Sequence, residues 1–199
     1  TRPDPAAGAV AAPLGSPAPA GGVPLAGRRL IVHKCTIGVK GTNMVKVERS
    51  IRIGSTQRDV FDYVANYGNV LAFMHGVTRF EPVGAKDYGL GARFYWETTV
   101  VKGLRLGWQF VVTEFSPHEW MAAEAITTPR SSSNWRFRSI EGGTLATFAT
   151  AAELPRGLLV GKWLVEREIA ASMERSLINL RRRLESALRG DRRELVGAR

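Results

Sequence analysis

From Leu158 to Leu188, apolar residues recur at steps of three and four: Trp163, Ile169, Ala170, Met173, Leu177, Leu180, Leu184 and Leu188. Glu166, Arg167, Glu168, Glu174, Arg175, Arg181 and Arg182 fall on the other side. This is one stripe along a helix of about eight turns. A helix that long with one apolar side needs an extended apolar partner. The one segment able to supply it is the stretch of about a hundred residues upstream, whose hydropathy alternates with the period of a strand. A helix laid across a curved antiparallel sheet leaves either a packed core or a cavity beneath it, and the function of the chain turns on which.

The alternation divides into strands at turn residues. Val45, Val47, Ile51 and Ile53 alternate with Lys46, Glu48, Ser50 and Arg52, a half-buried strand in which Arg49 falls on the apolar face. Gly54-Ser55 stops it, and Ser55 is placed to cap a helix carrying Val60, Phe61 and Val64. Tyr67-Gly68-Asn69 interrupts that helix, and a second short one spans Val70 to Met74, ending at His75-Gly76. Strands are then expected over Val77–Val83, Arg93–Val101, Leu104–Phe115, Glu119–Thr127, Asn134–Ile140 and Thr144–Leu154. The turns are Lys86-Asp87-Tyr88-Gly89, Lys102-Gly103, Ser116-Pro117, Pro129 with a serine run, and Glu141-Gly142-Gly143. Pro155-Arg156-Gly157 introduces the long helix. Turns this short require antiparallel neighbours. The fold class is therefore α+β: one strand, two short helices, a six-strand meander and a long helix.

The net charge of +10 suggests nucleic acid until it is divided by segment. Residues 45–154 hold 12 basic and 11 acidic side chains, whereas residues 1–44 hold 5 and 1, and residues 155–199 hold 11 and 6. The excess sits at the two ends. Arg181, Arg182, Arg183, Arg189, Arg192 and Arg193 cluster where a helix C-terminus favours cations, so a solvated helix end is the plainer reading. The sharper one is a peripheral contact with an anionic membrane. Nucleic acid is disfavoured, because no aromatic residues interleave the arginines.

Residues 1–43 are read as a disordered Ala/Pro/Gly-rich extension, with prolines at 3, 5, 13, 17, 19 and 24. The readings open for it are a plastid or mitochondrial transit segment, upstream sequence with Met44 close to the natural start, or an expression remnant; the last two are favoured, because the folded pattern begins right after Met44. Residues 44–189 form the expected domain and 190–199 a basic tail. With one cysteine, Cys35, no intrachain disulfide forms, and a cytoplasmic location, or an organelle if the extension is a transit peptide, is expected. No run approaches the ~18 apolar residues of a membrane span.

The order of elements and four local stretches resemble the START/SRPBCC superfamily, the helix-grip fold of polyketide cyclases, lipid-transfer domains and birch-pollen-allergen-like proteins. The stretches are VERSIRIGSTQRDVFDYVANYGNVLAFMHGV at 47–77, GLGARFYW at 89–96, WQFVVTEFSPHEWM at 108–121 and NWRFRSIEGGTLATF at 134–148. With the long helix they cover residues 45–188. The sequence is most similar to the polyketide cyclase/dehydrase and lipid-transport branch. The second helix, YGNVLAFMHGV, lacks the proline and cysteine of the coenzyme-Q-binding branch. The resemblance implies a curved seven-stranded sheet wrapped around the C-terminal helix, with an apolar cavity between them whose mouth lies near the short helices and hairpin ends.

Alternation puts Phe94, Trp96, Thr98, Leu106, Trp108, Phe110, Trp135 and Phe137 on one face, opposite Trp163, Ala170, Met173 and Leu177. Each aromatic, taken singly, is core by default; together, and with Phe73 from the second helix, they are the expected ligand wall. The polar candidates are Arg49 by strand parity, Glu124, His75 beside the expected mouth, and Tyr95, which with Tyr63 and Tyr67 could act as an acid. No base stands beside those tyrosines in the pattern. A register slip would move Arg49 to the other face, and a histidine at a helix end is ordinarily a cap. His33, His75 and His118 lie in separate segments without ligand spacing, so neither a metal nor a cofactor is expected. Gly89-x-Gly91 lacks the strand-to-helix setting of a nucleotide loop. The expected function is binding, with transport as an extension of it, of a lipid, isoprenoid, quinone or polyketide. The alternative is a cyclase/dehydratase acting in the same cavity.

Overall fold

The computed structural model describes residues 44–99, 105–154 and 161–197, with side chains through residue 187. The readings of residues 1–43, of the Lys102-Gly103 and Pro155-Arg156-Gly157 turns, and of the side chains of Arg189, Arg192 and Arg193 lie outside the described residues.

Seven strands form one antiparallel sheet in the order β1-β7-β6-β5-β4-β3-β2: β1 (Met44–Ile53), β2 (Val77–Pro82), β3 (Arg93–Thr99), β4 (Arg105–Ser116), β5 (Trp120–Ala125), β6 (Ser131–Ile140) and β7 (Gly143–Glu153). Two short helices, α1 (Gln57–Ala65) and α2 (Val70–Phe73), follow β1, joined by a 3-10 turn at Tyr67–Asn69. The long helix α3 spans Lys162–Gly197. This is the helix-grip arrangement.

Local chemistry sets the boundaries. Thr56, not Ser55, caps α1: its hydroxyl accepts from the Asp59 backbone N–H, leaving the expected cap residue Ser55 buried at the end of β1. Thr144, itself buried, donates to the Ser55 carbonyl at 2.8 Å and ties that corner to β7. At the β6–β7 hairpin Gly143 has φ +148°, and an added Cβ would run into the Ile53 carbonyl, so the end of β1 can close on β7 only over a glycine. Several ends shift by a residue or two, and two boundaries differ by more from the sequence reading. β6 begins at Ser131, because the serine run continues the ladder opposite Thr150, Ala151 and Ala152 rather than forming a loop. The helix continues past Leu188 to Gly197.

The core sits under the middle turns of α3, from Met173 to Leu184. Met173, Leu177, Leu180 and Leu184 are buried against Val45, Val47, Ile53, Trp135, Phe137 and Phe148 of the sheet and against Val60, Phe61, Val64, Val70 and Phe73 of α1 and α2. Each such side chain contributes roughly 1.5–3 kcal/mol on leaving water. The backbone of α3 lies mainly against β1 and α2. Irregular pairing between Val77 and Arg79 and between Val112 and Glu114 bends the β2–β5 side of the sheet. Among the described residues no helix is long and apolar enough to cross a membrane.

Candidate functional site

Residues directly opposite in an antiparallel ladder share a face. Phe80 stands opposite Trp96 and Trp96 opposite Trp108; Phe94 stands opposite Phe110 and Thr98 opposite Leu106. Farther along the sheet Met121 pairs with Trp135, Trp135 with Phe148 and Phe137 with Ala146. The strands therefore bring all eight in-facing sequence candidates, Phe94, Trp96, Thr98, Leu106, Trp108, Phe110, Trp135 and Phe137, to the face that meets α3.

That face has two grades of burial. Over β6 and β7, Trp135 lies stacked between Phe148, at 4.4 Å between ring centroids, and Phe137, at 5.9 Å, with Phe73 edge-on. These rings, with Met173 and Leu177 above them, are buried. Over β3 and β4, Phe94 is buried, while Trp96, Leu106, Trp108 and Phe110 remain partly open. The first turns of α3 share that openness: Val165, Ile169 and Ala170 are only partly buried, and Trp163 is 61% exposed. Trp163 thus departs from the expected interior position. The sequence stripe places it on the apolar side, but it lies in the first turn of α3, where the helix has not yet settled on the sheet. It lines an open groove of about 640 Å³ along the free edge of β1, together with Ala170, Lys46, Arg49, Arg167 and Glu174.

The polar candidates are not brought together. Arg49 keeps its in-facing parity, opposite Phe148, yet its guanidinium is exposed, lines the groove and donates to the Glu48 carbonyl at 2.8 Å. Its charge is met by water rather than by an apolar interior. Glu124 lies on the outer face, opposite Val111 and Ser132, and is exposed. Tyr95 is also outward, opposite Glu81 and Gln109, its ring over Gly107 and the Arg79 guanidinium 5.1 Å from its centroid. Both residues have the wrong strand parity for the interior, and a single-residue step is enough to change face. That outer face is a charged surface: Arg79 bonds Glu81, which holds its guanidinium above the ordinary arginine range, and Arg105 reaches Glu97 at 3.6 Å.

His75 sits where α2 is strapped to α3. Its backbone N–H donates to the Ser176 hydroxyl at 2.8 Å, its carbonyl accepts from the Ser172 hydroxyl at 3.1 Å, and its Nε2 lies 2.9 Å from Arg175 Nη1. Arginine only donates, so Nε2 accepts and the ring proton lies on Nδ1. Asn179 adds a bond to the Phe73 carbonyl at 3.4 Å, and Thr98 donates to the Gly76 carbonyl at 2.8 Å. The strap grips α3 from Ser172 to Asn179, where its partly open first turns give way to the packed stretch.

The partly open β3–β4 side also holds two polar groups that sequence reading passed over. The indole Nε1 atoms of Trp96 and Trp108 are shielded from solvent and meet no hydrogen-bond acceptor. Phe148 and Phe80 were missed as members of the same face. Parity with Thr144 and Ala146 would have found Phe148, but the alanines on both sides of β7 blur the alternation. Tyr88, 49% exposed, packs edge-on against Phe115 at 5.1 Å, and partial desolvation, then the Asp62 carboxylate, push its phenol above the ordinary tyrosine range. Among the described residues no group of histidine, cysteine, aspartate and glutamate could hold a metal ion.

Comparison with solved structures places this architecture among proteins of diverged sequence. The di-domain ARO/CYC StfQ from the steffimycin biosynthetic pathway superposes with a TM-score of 0.61 at 14% identity, over 73% of this chain and 52% of that one. The di-domain ARO/CYC BexL from the BE-7585A biosynthetic pathway gives 0.59 at 16% identity, over 72% and 50%. The chain thus spans about half the length of these two di-domain proteins. TTHA0849 from Thermus thermophilus is matched almost end to end, with 72% of this chain and 98% of that one at 19% identity and a TM-score of 0.61. At such identities the likeness is one of fold alone. No curated protein matches the sequence. The family model for polyketide cyclase / dehydrase and lipid transport matches residues 44–185, which takes in all seven strands, both short helices and most of α3, and the chain belongs to that family.

Proposed function

We propose that the chain binds a hydrophobic small molecule, of lipid, isoprenoid, quinone or polyketide type, between the β3–β4 side of its sheet and the first turns of α3, as a binding or transfer module. One observation carries this reading. Trp96, Leu106, Trp108 and Phe110 share a face with Trp135, Phe137 and Phe148, yet only the latter three are covered. An apolar wall left partly uncovered on the concave side of a sheet, with few polar groups, has the composition of a small-molecule site. Trp96, Trp108 and Phe110 form the wall in this reading, Val165, Ile169 and Ala170 the roof, and Phe94, Phe73 and Met173 the floor. Trp135, Phe137 and Leu177 serve as the packed support behind it.

The test is native mass spectrometry of the purified protein before and after organic extraction, with titration of an apolar fluorophore into the extracted protein. A mass lost on extraction and low-micromolar fluorophore binding are expected. A protein that carries nothing and leaves the fluorophore and a lipid panel unbound would sink the reading. A cyclase/dehydratase in the same place needs an acid and a base that converge on the ligand. Tyr95 and Glu124 face outward, Arg49 lines the β1 groove and His75 is held by Arg175, so these four candidates supply no such pair.

A further inference from the structure

We infer that Trp96 and Trp108 form a paired hydrogen-bond donor site. It would select a ligand bearing a neutral acceptor oxygen, a ketone or quinone-type carbonyl on an apolar body, over a hydrocarbon of the same shape. The inference rests on the binding role proposed above and names what the site prefers. Trp96 and Trp108 are direct cross-strand partners on the face toward α3. Both Nε1 atoms are shielded from solvent, and neither has a hydrogen-bond acceptor. An indole nitrogen donates and cannot accept, and its N–H direction is fixed by the ring. The buried serine hydroxyls that also lack partners, those of Ser55, Ser131 and Ser132, differ here, since a hydroxyl rotates to find an acceptor. A buried donor left unpaired destabilises the fold that contains it, so two of them at partnered positions of neighbouring strands point to an acceptor brought from outside.

The surroundings decide what that acceptor is. Arg79, Glu81, Arg93, Glu97, Arg105, Glu114 and Glu124, the ionised residues of β2–β5, all fall on the outer face. No formal charge from these strands stands beside the indoles, so an anionic headgroup would be desolvated without compensation. The hydroxyl of Thr98, two residues from Trp96 on this face, already donates to the Gly76 carbonyl. A carbonyl oxygen has two lone pairs and no charge, and matches two neutral donors. The rival arrangement is internal: Phe80 packs edge-on to Trp96 at 5.5 Å, and Phe110 lies 6.1 Å from Trp96 and 5.9 Å from Trp108. Contacts from N–H to those ring faces would satisfy the donors weakly and give no preference for a carbonyl.

The experiment compares matched probes on the extracted protein: 9-fluorenone against fluorene, and 2-tridecanone against tridecane, by calorimetry and by indole ¹⁵N–¹H spectra. The ketone is expected to bind about tenfold tighter than its hydrocarbon, as relief of buried donors allows. Two of the five tryptophan indole signals should move downfield with the ketone alone. In the double variant W96F/W108F the ratio of ketone to hydrocarbon affinity should fall to about twofold or less, whatever the loss of wall area does to both affinities. Equal affinity for both members of each pair in the wild-type protein, or a preference that survives in a folded W96F/W108F, overturns the inference and leaves the binding role standing. Binding of neither member overturns both.

Discussion

The two sides of the concave face are built from the same materials and end differently. On the β6–β7 side Trp135, Phe137 and Phe148 stack under Met173, Leu177, Leu180 and Leu184 and are closed from below by Phe61 and Phe73. On the β3–β4 side Trp96, Trp108 and Phe110 follow the same alternation on the same face but stay partly open, as do Val165, Ile169 and Ala170 in the first turns of α3. The difference lies in the cover and not in the wall. From Met173 to Leu184, α3 presents side chains buried in one cluster with β1, α1 and α2; before that stretch Val165, Ile169 and Ala170 are only partly buried and Trp163 is exposed. Strand periodicity reports which residues face inward. How closely a helix approaches them is set by its own side chains and by the corners that hold it.

The comparison breaks most directly by treating the two sides alike. Trp135→Ala should cost about 3–5 kcal/mol, the range for a large aromatic removed from a closed core. Trp108→Ala should cost less than half as much, because its ring is partly in water already and its N–H has no partner to lose. Denaturant unfolding of the two variants measures both values. Equal losses would mean the β3–β4 side is as well packed as the other. The helix allows the same comparison: Leu180→Ala, at a fully buried position, should lose about 2–5 kcal/mol, and Val165→Ala roughly 1 kcal/mol or less, since the removed methyls are partly hydrated.

The strap should rank next. Ser176 is buried and its hydroxyl accepts the His75 N–H while donating to the Ser172 carbonyl. Ser176→Ala leaves the His75 donor unpaired and should destabilise by about 1–3 kcal/mol. It should also speed amide exchange at residues 73–76 more than at β6 or β7. Unchanged protection there would show that Ser172, Arg175 and Asn179 hold the strap without it.

Much of this was legible in the chain because the signals were periodic. Period two fixed the inward set in β3, β4 and β6, and period three-to-four fixed the buried stripe of α3 from Met173 onward. Periodicity failed where structure depends on the end of an element. Trp163 has the right spacing and lies in the first turn of α3, beyond its cover. Ser55 has the right chemistry for a cap and is one residue early. The serine run reads as a loop until its ladder with β7 is seen. Arg49 shows a further limit: strand parity was right, yet a long side chain at an edge strand reaches water. The unpaired indoles of Trp96 and Trp108 left no trace in sequence, since a tryptophan at an inward position looks the same whether or not its N–H finds an acceptor.

The smallest effects belong to the outer face. Tyr95 and Glu124 sit among the charged pairs of the convex surface, one over Gly107 beside Arg79 and the other exposed opposite Ser132. Tyr95→Phe keeps the ring that covers Gly107, and Glu124→Gln removes a charge that faces solvent. Both variants should unfold within about 0.5 kcal/mol of the parent. Neither should change the affinity of an apolar fluorophore by as much as twofold, an outcome set by which side of the sheet the ligand occupies. A tenfold loss of fluorophore binding in Tyr95→Phe would place the ligand against the outer surface of β3, on the side of the sheet away from α3, and the distinction between a closed and an open inner half would then have no bearing on binding.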